Sequence, residues 1–313
     1  MKRKSEILRL VEISRLYYED GLTQAEIAKE LDISRPAVSK HLAEARILGI
    51  VKIEIKSPFE SNDDLQQRLC EKFGLKGGLV VQTGSSEKDI RRRVFFSQAA
   101  RYVENWIDEV NTIGVSWGAD TGTILDEMKP VASDTERKGD ICPLIGSAPY
   151  DIKWFQTNEL ARVLSQKTGY SPHYFMAPAF PASVENKKLF EQTNEFQSIQ
   201  NLWKRLQMVL IGIGTYPSTP DQATAARFGQ KLRKKRAVGM MATYYFDREG
   251  RFIESDTDIV MRIPLDLLRK IPNVLAFGFG DEKTAATIGA LRTGLITHLI
   301  TDEGMANRLL EDI

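Results

Sequence analysis

Three strand-to-helix junctions carry the residue types that hold an anion. They are Gly114-Val115-Ser116-Trp117-Gly118-Ala119-Asp120-Thr121-Gly122-Thr123, Gly212-Ile213-Gly214-Thr215 and Gly278-Phe279-Gly280-Asp281-Glu282-Lys283-Thr284. Small residues let backbone N–H groups approach an anion at a helix N-terminus. A single G-x-G also serves as a plain tight turn, but three in one chain point to a phosphate-type ligand. Lys283 stands where a cation opposes a helix dipole. Either Asp281 and Glu282 neutralise it in solvent, or it holds a ligand's anionic group. Asp247, in Phe246-Asp247-Arg248-Glu249-Gly250, either accepts sugar hydroxyls or turns a hairpin. Trp117 reads as a core or lid residue, or as a platform for a ligand. Gly146, in Ile145-Gly146-Ser147-Ala148, ends another strand and offers a backbone N–H. Asp120, Asp281 and Glu282 are the general-base candidates at these loops, with no histidine beside them. They leave an enzyme with an appended helical domain as the alternative reading. His41, His173, His298, Cys70 and Cys142 are scattered, without zinc-ligand spacing, so no metal or other cofactor is expected.

A second chemistry sits near the start. Thr23–Leu42, TQAEIAKELDISRPAVSKHL, has the pattern of a DNA-reading helix-turn-helix. Thr23-Gln24-Ala25-Glu26 is a capping box. Ala28 is small enough for two helices to cross closely, and Leu31, Ile33 and Val38 fill the core between them. Asp32 takes the turn position and tolerates a left-handed backbone. Ser34 caps the third helix, which would enter the major groove by its N-terminus. Its outward residues are Ser34, Arg35, Ala37, Ser39, Lys40 and His41. Arg35 pairs bidentately with guanine, Ser34, Ser39 and Lys40 suit phosphates or base edges, and Gln24 contacts a phosphate. The plain reading of the same residues is a helical hairpin with a solvated face.

The elements that position these residues follow from periodicity. Residues 1–57 read as three helices closed by a strand at Ile50–Ile55, a winged-helix-like DNA-binding domain. Residues 57–63, SPFESND, form a linker. A helix at 64–73 carries Leu65, Leu69 and Phe73 as one stripe, packed on the large domain or also on a second copy. Residues 58–313 alternate apolar strands with helices. Strands are expected at 79–82, 112–116, 141–145, 209–213, 238–243, 274–279 and 298–301. Helices are expected at 88–108, 119–128, 156–167, 193–203, 222–234, 264–270, 284–293 and 303–311. That order implies βαβ units and a mainly parallel, doubly wound α/β sheet covered on both faces. The basic run Lys231, Arg233, Lys234, Lys235, Arg236 reads as a solvated helix face.

Composition bounds the rest. The 313 residues allow two domains, and 43 Lys/Arg against 42 Asp/Glu exclude coating of nucleic acid by bulk charge. Residues 1–57 hold 11 Lys/Arg and 9 Asp/Glu, a net charge of +2. One such unit binds DNA weakly, so paired half-sites read by an oligomer are expected. Two cysteines make no disulfide framework, which fits a reducing cytoplasm. No apolar run approaches the ~20 residues of a membrane span, and the charged N-terminus is no secretory signal.

Taken together, LYYEDGLTQAEIAKELDISRPAVSKHL, IGVSWGADTGTIL, MVLIGIGT, AVGMMATYYFDREG, AFGFGDEKTAATIGALRTG and LITDEGMANRLL resemble, in order and from end to end, SorC/DeoR-type bacterial sugar-responsive transcriptional regulators. The resemblance implies an effector domain related in fold to sugar-phosphate isomerases, usually tetrameric, and a non-enzymatic regulator or repressor of a carbohydrate operon. It places a phosphorylated sugar near Gly118, Ala119, Asp120 and Thr121, near Asp247, and on Lys283. The expected partners are operator DNA, that effector and further copies of the chain. Members commonly carry two hydroxyl residues after the Trp-Gly pair, where this chain has Ala119-Asp120. Some carry a Schiff-base lysine where this chain has Ile145, so binding is expected to be non-covalent. Members often have Gly-Asp where Gly239-Met240 stands here.

Overall fold

The computed structural model describes residues 4–51, 61–85, 87–131, 137–148, 152–217 and 227–312. The chain divides into two compact units, Met1–Pro58 and Phe59–Ile313.

In the first unit, helical spacing of apolar residues produces α1 (Lys4–Tyr18), α2 (Gln24–Glu30) and α3 (Arg35–Ile47). Gly21, at φ +72°, lets the chain leave α1, and the Leu22 N–H returns to the Leu16 carbonyl at 2.9 Å. Ile13, Ile27, Val38 and Leu42 are wholly or almost wholly buried, with Leu16, Tyr17, Ala28, Leu31 and Ile33 packed around them. This four-residue centre is small, so the caps and turns that hold the three helices matter more than they would in a larger core. From Lys52 on, the strand expected at Ile50–Ile55 lies outside the described residues, as does the linker up to Glu60.

The second unit runs α4 (Asp63–Phe73), β1 (Gly77–Val81), α5 (Lys88–Trp106), β2 (Thr112–Val115), α6 (Ala119–Glu127), β3 (Asp140–Pro143), α7 (Thr157–Thr168), β4 (Ser171–Pro172), α8 (Val184–Glu191), α9 (Asn194–Trp203), β5 (Met208–Gly212), β6 (Gly214–Thr215), α10 (Lys231–Lys234), β7 (Ala237–Met241), β8 (Tyr244–Asp247), α11 (Leu265–Leu268), β9 (Asn273–Gly278), α12 (Thr284–Arg292), β10 (His298–Asp302) and α13 (Glu303–Glu311). Seven strands form one sheet in the order β1-β10-β9-β5-β2-β3-β4, and every pairing in it is parallel. Val209, Leu210, Ile211, Leu275, Ala276 and Phe277 are fully buried, as a parallel sheet covered on both faces requires. Asn62 caps α4 by accepting from the Leu65 N–H at 3.1 Å, and α4 lays Leu65 and Leu69 against β1 and α13.

Each expected strand from 79 onward is present. The run at 238–243 departs from expectation: it leaves the parallel sheet and ends at Met241. Ala242 and Thr243 turn at φ +46° and +65°, so β7 folds back on β8 in a small antiparallel sheet, β6-β7-β8. No helix separates β7 from β8, and a two-residue turn forces antiparallel pairing. Of the helix expected at 222–234, residues 222–226 lie outside the described residues, and only Lys231–Lys234 is α-helical in the remainder.

The chain order sets one topological feature. β2 leads outward to β3 on one side, and β5 leads on through the small sheet to β9 on the other. β2 and β5 are neighbours, with Gly114 opposite Val209. A crevice therefore opens beyond their carboxyl ends, the position at which open α/β sheets bind ligands.

Candidate functional site

The crevice is a cavity of about 170 Å³ lined by Trp117, Gly118, Ala119, Asp120, Phe155, Gly212, Ile213, Gly214, Thr215, Met240, Ala242, Thr243 and Lys283. Gly118, at φ +147°, turns β2 into α6, and a side chain there would meet the Gly212 Cα at 3.6 Å. That is ordinary contact, so the backbone conformation, and not a lack of space, calls for glycine at 118. α6 has no side-chain cap. The first N–H groups of a helix have no intrahelical partner, so its N-terminus faces the crevice with unmet donors. Thr121 Oγ1 is buried without a hydrogen-bond partner beside the same gap. Trp117 is buried and packs at 6.0 Å from both Phe155 and Phe180, making an aromatic wall.

Lys283 ends the short turn Asp281–Lys283 and caps α12. Its ammonium contacts the Asp120 carboxylate in the first turn of α6, with 20% and 8% of the two side chains exposed. The neutralisation by Asp281 and Glu282 that the sequence allows is not what the structure contains. Asp281 pairs with Arg308, and Glu282 is exposed. The two junctions that meet here are separated by 163 residues.

The structure brings Gly118, Ala119, Asp120 and Lys283 together, with Thr121 just behind them. It does not bring Asp247 or Gly146 to the cavity. The Asp247 carboxylate accepts from the Arg251 backbone N–H and from its guanidinium, both at 2.9 Å, in the turn closed by Gly250. In this structure the Asp247 carboxylate is engaged within the hairpin turn. The Gly146 N–H donates to the Met261 carbonyl at 2.9 Å, and a Cβ there would stand 2.5 Å from the Ala177 carbonyl oxygen. Gly146 is small because backbones cross at that point. Ile145 is fully buried, so no amine occupies its place. Met240 lines the cavity at the position where the resembling regulators often carry Asp; Phe155, Ala242 and Thr243 also line it and were not legible as ligand-side residues. They come from the turn before α7 and from the β7–β8 hairpin, which only the folded chain carries over the β5 end.

In the first unit, the capping box forms as expected. The Thr23 hydroxyl accepts from the Glu26 N–H at 3.3 Å, and the Glu26 carboxylate accepts from the Thr23 N–H at 2.8 Å. The Thr23 backbone N–H, and then its hydroxyl, hold the Glu26 carboxyl below its ordinary range. Asp32 turns at φ +51°, and the Ser34 hydroxyl accepts from the Ala37 N–H at 3.3 Å to start α3. Ser34, Arg35, Ser39 and Lys40 are exposed, and Gln24 and Ala37 are half-buried. Arg35 makes no ion pair among the described residues and borders a surface hollow with Gln24. His41 is turned back, its Nδ1 at 2.6 Å from the Ala37 carbonyl, and is less available than its neighbours.

Among the described residues no cluster of His, Cys, Asp and Glu could hold a metal ion, and no helix is long and apolar enough to cross a membrane. Asp120 and Asp281, two of the three general-base candidates, are engaged in ion pairs.

Residues 57–311 match the family model described as a sugar-binding domain, and residues 15–47 match sigma-70 region 4. The sorbitol operon regulator of Klebsiella pneumoniae is 27% identical, over 99% of this chain and 100% of that protein. The deoxyribonucleoside regulator of Bacillus subtilis is 28% identical, over 97% of each. Among solved structures, the full-length sorbitol operon regulator SorC of K. pneumoniae superposes with a TM-score of 0.77 at 25% identity, over 99% of this chain and 100% of that one. A DeoR family transcriptional regulator of Listeria monocytogenes does so with a TM-score of 0.69 at 26% identity, over 79% and 98%.

Proposed function

Because the chain belongs to the family of this sugar-binding domain, found here behind a helix-turn-helix, we propose that it is a transcriptional regulator of a carbohydrate operon. In this reading it acts as a repressor, and a phosphorylated sugar or polyol switches it. Residues 1–57 read operator DNA through Arg35, with Gln24, Ser34, Ala37, Ser39 and Lys40 around it. Residues 58–313 bind the effector and oligomerise, as a dimer of dimers. The observation that carries the effector half is the junction of β2 and β5. There the uncapped N-terminus of α6 and the Lys283 ammonium face one small cavity with an aromatic wall. Ala119 and Thr121 supply backbone N–H groups to the phosphate and Lys283 supplies the cation, while Gly118, whose own N–H donates to the Trp154 carbonyl at 3.0 Å, turns the chain beside it. The aromatic wall covers the sugar. Ile145 provides no amine, so the effector is held without a covalent bond.

The net charge of +2 over residues 1–57 supports operator binding by paired half-sites. Effector binding then favours one arrangement of the oligomer over another, with a different half-site spacing. The chain is a sensor and not a catalyst, and it works in the cytoplasm.

The test is a selection of host genomic fragments on the purified protein, followed by footprinting. A two-fold-symmetric site, released by one sugar phosphate out of a panel, is the expected result. Retention of fragments no better than random DNA would remove the regulator reading. Turnover of any sugar phosphate in the same panel would favour the enzyme.

A further inference from the structure

The cavity already contains an anion of its own. Asp120 lies in the first turn of α6, where a negative side chain meets the positive end of the helix. Its carboxylate is almost fully buried and in direct contact with the Lys283 ammonium. The two positive features that would attract a phosphate, the α6 N-terminus and Lys283, are therefore both served by one residue of the chain itself. Behind it, Thr121 Oγ1 is buried with no partner. It stands 3.7 Å and 3.4 Å from the positions that side chains on Gly118 and Gly212 would take. A buried hydroxyl without a partner marks a place where a hydrogen-bonding group is missing.

We propose that Asp120 is a resident counter-anion that competes with the effector for Lys283. This rests on the reading of the cavity as a phosphate site. A carboxylate and a phosphate dianion cannot both sit against one ammonium without repelling each other, and the repulsion is strong where water is scarce. Binding of the effector therefore exchanges one oxyanion for another: the Lys283–Asp120 contact breaks and a Lys283–phosphate contact forms. No bond is made or broken covalently. Asp120 makes this exchange costly for anionic effectors. It thereby sets a threshold, so that the protein responds only when the sugar phosphate is abundant. Unphosphorylated sugars carry no group that displaces the carboxylate, so Asp120 does not weaken them in the same way.

The experiment is isothermal titration of the full chain, wild type and Asp120→Asn. The probes are inorganic phosphate, glucose 6-phosphate, fructose 6-phosphate, ribose 5-phosphate and the unphosphorylated sugars. Lys283→Ala is run alongside, and circular dichroism checks that each variant folds. Asparagine keeps the shape and removes the charge. The expected result is at least about tenfold tighter binding of a sugar phosphate by Asp120→Asn, equivalent to about 1.4 kcal/mol. Neutral sugars should be unchanged, and phosphate binding should be lost in Lys283→Ala. If wild type binds a sugar phosphate and Asp120→Asn binds it equally or more weakly, the counter-anion idea is overturned while the phosphate reading stands. If neither protein binds any phosphate probe, both fall. A neutral sugar bound by wild type and lost in Asp120→Asn would make Asp120 a direct ligand instead.

Discussion

The Lys283–Asp120 pair makes an asymmetric prediction about stability. Lys283→Ala leaves a carboxylate of which only 8% is exposed, with no cation in contact. Removing one partner of a fully buried pair costs about 3–5 kcal/mol. Two features lower the figure here. Lys283 is 20% exposed, so water already screens part of the attraction. The α6 N-terminus also continues to stabilise the carboxylate, by about 0.3–1 kcal/mol. The expected loss is therefore about 2–3 kcal/mol, which in a domain of this size lowers Tm by about 4–12 °C. Asp120→Asn leaves an ammonium on a flexible stem that reaches water, so its cost should be smaller, about 1 kcal/mol. The double variant has no stranded charge and should recover at least about 1 kcal/mol relative to additivity. All four tryptophans, Trp106, Trp117, Trp154 and Trp203, lie in the second unit. Urea denaturation followed by tryptophan fluorescence thus reads that unit without interference from the first. Equal, small losses in the two single variants with strict additivity would show a solvent-screened surface contact and refute the reasoning.

Three further outcomes are expected. Arg35→Ala should weaken specific operator binding by about 1–3 kcal/mol while the melting curve and oligomer size stay unchanged; unaltered affinity in a fluorescence anisotropy titration would remove α3 from the reading role. Gly122→Ala should destabilise the second unit by about 1–3 kcal/mol, because the new Cβ would stand 1.9 Å from Trp154 Cδ1. Trp154 neighbours Phe155 in the cavity wall, so effector affinity should fall too; a stability at or above wild type in the same urea titration would contradict the packing. The Thr23–Glu26 box should hold from neutral pH down past 4.5, the ordinary value of a glutamate, and fail only as pH drops through the lower value of the folded state. The sign follows from a depressed carboxyl: its stabilisation is full above the unfolded value and lost below the folded one. An NMR titration of the Glu26 carboxyl carbon checks this. Its midpoint should lie under 4.5 and return toward 4.5 in Thr23→Ala, whereas a wild-type midpoint at or above 4.5 would remove the box.

The helices and turns of the DNA-reading unit were legible because their causes are local. Thr23 caps α2 through Glu26, Asp32 accepts the left-handed turn, and Ser34 starts α3. The strand periods of the large domain were legible for the same reason. What was missed had no local signal. The Ala242–Thr243 turn has neither Gly nor Asn at its left-handed positions. It is held by Arg262, whose guanidinium donates to the Thr243 carbonyl and hydroxyl at 2.7 Å and stacks on Tyr244 at 3.6 Å. α8 buries no residue and so carries no apolar stripe. β4 pairs through only Ser171 and Pro172.

The site divides along the same line. Glycines at strand ends, an open helix N-terminus and a lysine after Gly-Asp-Glu are properties of a few consecutive residues, and side-chain and backbone chemistry over that distance imposes them in any context. Which of these segments face each other is another matter. Asp120 meets Lys283 because the strand order sets β2 beside β5 and β5 beside β9. The same order leaves Asp247 with Arg251 and Gly146 under the Ala177 carbonyl, both outside the cavity. A charge acts on whatever lies within a few ångströms of it. Over 163 residues of chain, only the packed sheet decides what that is.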